Sequence, residues 1–101
     1  MRYQPTALAW IDPEMTTSPA WDAAQLRRLA RRLGYVLLWP TSVPTVPLID
    51  QVRTADVDAI LMPTPAHLDA LMLDRLMHLV DIETARPRMS FARWTAIGAG
   101  A

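Results

Sequence analysis

Apolar positions fall into short continuous runs separated by longer stretches in which they recur at helical spacing. Ala7-Leu8-Ala9-Trp10-Ile11 is unbroken until Asp12-Pro13 ends it, the pattern of a strand covered on both faces. Ser18-Pro19 then offers a capping hydroxyl followed by a proline suited to a first helical turn, and Gly34 stands where a left-handed cap closes the helix. The spacing predicts a helix over 19–33, with Trp21, Leu26, Leu29, Ala30 and Leu33 on the sheet side and Arg27, Arg28, Arg31 and Arg32 opposite. Tyr35 to Trp39 reads as a second strand, with Trp10 and Trp39 expected in the core. The proline-rich 40–47 reads as a loop, Leu48 to Ala55 as a short helix, and Val57 to Met62 as a third strand after Asp56. Thr64-Pro65 repeats the cap-and-proline signal, predicting a helix over 65–78 whose core face carries Leu68, Leu71, Met72, Leu76 and Leu79. A fourth strand follows over 79–84, and 86–101 has no clean period. Strands alternating with amphipathic helices predict an α/β class: a small three-layer α/β/α sandwich on a mainly parallel four-stranded sheet.

The length of 101 residues bounds this to one domain, 1–101, with its core over about 7–85 and an irregular segment over 86–101. Hydrophobic residues at 51% and charged residues at 20% exclude a wholly disordered chain. Ten basic against ten acidic residues leave no global field toward nucleic acid or acidic membrane, so any anion site must be local. Every basic residue is Arg, which fits either the codon usage of a GC-rich genome or a need for guanidinium. The absence of Cys removes disulfides and thiolate chemistry. The amino terminus has too short an apolar run for a signal peptide, and none approaches the roughly 18 residues of a membrane span. The expectation is a soluble, cytoplasmic protein with no membrane association.

The run Ala-Gln-Leu-Arg-Arg-Leu-Ala-Arg-Arg-Leu-Gly-Tyr-Val-Leu at 24–37, followed by Ala55-Asp56-Val57-Asp58-Ala59-Ile60-Leu61-Met62, resembles the catalytic domain of serine recombinases, the resolvases and invertases. The resemblance covers about residues 7–85 and implies a resolvase-like fold. It also implies a nucleophilic serine, preceded by an arginine, just after the first strand. Trp10-Ile11-Asp12-Pro13-Glu14-Met15-Thr16 holds neither. Thr16, Thr17 and Ser18 are near, but Ser18 is better used as a helix cap. After the third strand the family has an aspartate-arginine-leucine-x-arginine run whose guanidinium groups stabilise charge on phosphate. Here Ala66, His67, Leu68, Asp69 and Ala70 stand there, and both arginines are missing. The resemblance thus implies the scaffold and argues against strand exchange.

Other candidates each carry two readings. Arg27, Arg28, Arg31 and Arg32 form i, i+4 pairs that can meet phosphate or an acidic partner, or simply a solvated face. His67 can serve as acid, base or phosphate donor at a helix start, or as a first-turn histidine with ordinary hydrogen bonds. His67 and His78 sit eleven residues apart, too far for one metal. Asp12 and Glu14, with Asp58 or Thr64 approaching, could hold magnesium at the carboxyl edge of the sheet, or Asp12-Pro13 is a turn opener. Met89, Phe91, Arg93 and Trp94 have the composition of an interface hot spot, or fold over their own sheet. The expected function is a non-catalytic resolvase-like domain for protein interaction or oligomerisation, without cofactor or metal. The alternative is a DNA-associated accessory or regulatory protein of a bacterial or phage mobile element.

Overall fold

A computed structural model of the chain describes residues 4–40 and 46–93. In chain order it contains β1 (Thr6–Ala9), α1 (Pro19–Leu33), β2 (Val36–Leu38), α2 (Leu48–Ala55), β3 (Ala59–Met62), a 3-10 turn (Pro65–His67), α3 (Ala70–Met77), β4 (Asp81–Thr84) and β5 (Met89–Phe91). The sheet order is β2-β1-β3-β4-β5, with the first four strands parallel and β5 antiparallel to β4. From β1 the chain moves one way to β2, then crosses back to β3 and on to β4. Right-handed crossovers therefore place α1 on one face and α2 with α3 on the other.

Side-chain alternation along the central strands divides the core accordingly. Ala7 and Ala9 of β1 and Ala59 and Leu61 of β3 meet Leu26, Leu29 and Ala30 of α1. Leu8, Ile60 and Met62 point the other way, onto Leu48, Val52, Leu76, Val80 and Ile82. Every β3 residue is buried, which explains its unbroken apolar run. Small alanines on the α1 side let that helix lie close to the sheet. Two left-handed residues end helices: Gly34 at φ 83° after α1 and Asp56 at φ 51° after α2, each donating its N–H four residues back. Ser18 occupies the cap position of α1, but its side chain makes no capping bond.

Several expectations change. The sheet has a fifth strand, because 89–91 in the segment read as irregular pairs with β4. The helix expected over 65–78 is two pieces, since Leu68 is extended (φ −134°, ψ 141°) and the Asp69 carboxylate caps α3 through Met72 N–H. That break rotates Leu71 away from the core and leaves it 64% exposed, whereas Leu76 is fully buried. Trp21 and Trp39 are about half exposed, while Trp10 packs against the core only in part. Among the described residues no helix is long and apolar enough to cross a membrane.

Candidate functional site

β1 and β3 are neighbours whose continuations leave toward opposite faces of the sheet, so the loops beyond their carboxyl ends splay apart. A cavity of about 240 Å³ lies there, lined by Thr16, Ser18, Trp21, Asp22, His67 and Arg86 among others. His67, at the end of the 3-10 turn, is 5% exposed. Its Nδ1 accepts the Asp12 N–H at 2.9 Å and its carbonyl accepts Trp10 Nε1–H at 2.9 Å. An imidazole accepting at Nδ1 is neutral and carries its proton on Nε2. Burial lowers its pKa, partly opposed by Asp22 and Asp12 and reinforced by Arg86. The histidine thus ties the β1 loop to the β3 loop. With Nδ1 engaged it has no free lone pair to act as a base, and its Nε2–H is left as a hydrogen-bond donor.

Asp22, in the first turn of α1, is 3% exposed. One carboxylate oxygen accepts from Arg86 Nη2 at 3.0 Å and the other from the Thr16 hydroxyl at 2.5 Å. Arg86 also donates through Nε to Gln25 at 2.9 Å and lies 4.2 Å from the Trp21 ring centroid. This grouping brings Arg86 to Asp22, 64 positions away, and was not anticipated from sequence. The available signal was an acid on the inner side of an otherwise apolar helix face. The residue it needed stood in the segment that lacked periodicity.

The remaining sequence candidates are dispersed. Asp12 Oδ1 accepts the Glu14 N–H, so it opens a turn. Asp58 lies at the opposite end of the sheet, where its carboxylate accepts Thr6 N–H at 2.9 Å; preceding β3 rather than following it, it cannot approach Asp12. Thr64 does line the cleft, and its hydroxyl accepts Ala66 N–H. Among the described residues no three metal-capable side chains come together.

The four α1 arginines part company. Arg27 stacks 5.2 Å from the Trp39 centroid, and Arg31 is exposed on the helix. Arg28 and Arg32 instead line a shallow cavity of about 150 Å³ with Gln25, Arg86 and Arg88. Arg88 holds Glu83 at 2.9 Å and donates to the Met89 carbonyl at 2.7 Å. His67 lines the cleft and not this pocket.

In the carboxyl-terminal segment, Met89 is 37% exposed, whereas Phe91 packs against the core on the Ile82 side. Arg93 donates its backbone N–H to Asp81 and its guanidinium to the Leu79 carbonyl, fastening the end of β5 to β4. Trp94 lies outside the described residues. A larger apolar cavity, about 500 Å³, opens beside the edge strand β2 between Leu38, Trp39, Val46 and Gln51. Comparison of the chain with family models, with curated proteins and with solved structures finds no match in any of the three.

Proposed function

We propose that the chain is a non-catalytic, resolvase-like domain that works by association, as a protein-interaction or oligomerisation module. The observation that carries this reading is the state of the switch-point cleft. Thr16 and Arg86 engage both oxygens of Asp22, and His67 accepts from Asp12, so these groups tie the loops around the cleft to one another. The resemblance places its reacting serine and phosphate clamp at 10–16 and 66–70. Trp10 and Asp12 of the first segment bond His67 of the second, and neither segment holds a serine or an arginine. Surfaces available for association include the β2 edge, where Val36 and Trp39 are exposed beside the apolar cavity.

Sedimentation velocity on the full chain over a concentration range tests the proposal. A faster species that grows with concentration and is weakened by Trp39→Ala is expected. A monomer at every concentration sinks oligomerisation, and cleavage of supercoiled DNA by the purified chain sinks the non-catalytic reading.

A second reading, a DNA-associated accessory or regulatory factor, has its own support. Arg28 and Arg32 share one pocket with Arg86 and Arg88, a local cationic site on a chain of zero formal charge.

A further inference from the structure

We propose that the pocket between α1 and the β4–β5 turn is a subsite for a backbone phosphate of nucleic acid. Arg28 and Arg32 supply its charge, and Arg86 and Arg88 supply donors already held in place. The inference rests on the DNA-associated reading and names the surface that would serve it.

Four of the ten arginines converge on this pocket. Two arrive one helical turn apart on α1, and two flank Pro87 after β4. Arg86 and Arg88 each have a carboxylate, Asp22 at 3.0 Å and Glu83 at 2.9 Å, which fixes their position and cancels their charge. Among the described residues no carboxylate comes within 4.0 Å of Arg28 or Arg32. The pocket therefore keeps the positive charge of that pair, and their mutual repulsion is relieved by an anion. The guanidinium fork matches phosphate oxygens in pairs.

Arg86 is the anchor. Gln25 and Asp22 engage two of its five N–H groups, and Trp21 packs against its guanidinium face, so its orientation is set before any ligand arrives. A shallow site of about 150 Å³ walled by arginine differs from the deeper, mostly apolar pockets that enclose small molecules. It suits one phosphate of a chain that continues across the surface. Trp21, half exposed beside Arg86, adds an aromatic surface against which a neighbouring base can pack without regard to sequence.

The test is fluorescence anisotropy of the full chain with labelled single-stranded and duplex oligonucleotides over a series of salt concentrations. Affinity should fall as salt rises. Arg28→Gln with Arg32→Gln should weaken binding about tenfold or more at low salt and reduce the slope of log K against log salt by about one, the share of a single phosphate. Arg53→Gln with Arg75→Gln, on the opposite helical layer, should leave both quantities unchanged. No binding at the lowest salt overturns the inference, as does an equal loss in the Arg53 and Arg75 variant. Binding of a phosphoserine peptide in place of either oligonucleotide also overturns it. Failure here with concentration-dependent sedimentation intact removes the subsite alone. Oligonucleotide bound but cut removes the non-catalytic reading and keeps the subsite.

Discussion

Replacing Arg86 by alanine would leave the Asp22 carboxylate buried with only the Thr16 hydroxyl and its own surroundings to stabilise it. The lost charge-assisted hydrogen bond is worth about 1.5–3 kcal/mol, and the contact with Trp21 about 0.5–1 kcal/mol. The Arg86 side chain is 44% exposed against 5% for Asp22, so water enters the vacated place and restores part of the lost hydration. That puts the expected loss near the low end, about 2 kcal/mol, which in a domain of this size lowers Tm by roughly 8–16 °C. Urea denaturation followed by tryptophan fluorescence measures it, with Trp21 as a local reporter. A cycle through Asp22→Ala, Arg86→Ala and the double variant isolates the pair, since loss of the Thr16 and Gln25 bonds cancels between its arms. A coupling of about 1–2 kcal/mol is expected. A coupling below about 0.3 kcal/mol would refute the argument that this pair holds α1 to the turn after β4.

Three further outcomes follow from the same geometry. The pKa of His67 is lowered from its ordinary value near 6.5 by burial, so the unfolded chain binds the proton more readily than the folded one. The stability from the neutral folded histidine is full above about pH 6.5 and declines as pH falls below it. In urea titrations from pH 7.5 to about 5, His67→Gln should lose that part of the slope; an unchanged slope counts against the burial argument. Leu76→Ala should cost about 2–5 kcal/mol, whereas Leu71→Ala should stay within about 0.5 kcal/mol, and equal costs would show that α3 is turned differently. Gly34→Ala meets no atom within 4 Å, so only its positive φ opposes the substitution; about 1–2 kcal/mol is expected, and a neutral result would argue against the left-handed cap.

The division between what is local and what is long-range explains which parts of this protein were legible. Pro19, Gly34 and the α1 periodicity specify a helix within a single segment, and α1 runs over the predicted residues. Leu48 to Ala55 likewise forms α2 as expected. The continuous apolar runs mark strands buried on both faces, because only such strands need no polar side. Hence the α/β class and the mainly parallel sheet were readable. The break at Leu68 was harder to see, because one aspartate cap competes with a helical period that continues through it. Met89 to Phe91 has no pattern of its own, and it becomes a strand because β4 offers an open edge.

The sequence by itself determined α1, α2, the four apolar strands, and that neither 10–16 nor 66–70 holds a serine or an arginine, since each of these depends on residues close together in the chain. Only the tertiary structure decided which distant side chains meet. The crossing from β2 back past β1 to β3 creates the cleft, and the turn after β4 carries Arg86 to Asp22 and Arg88 toward Arg28 and Arg32. The physical reason is that a helical period assigns a residue to a face, whereas the partner on that face is set by strand order. The arginines of α1 read along the chain as one row, open to solvent or to an anionic partner. In the folded protein Arg27 meets Trp39, Arg28 and Arg32 reach a pocket completed from later in the sequence, and Arg31 stays exposed.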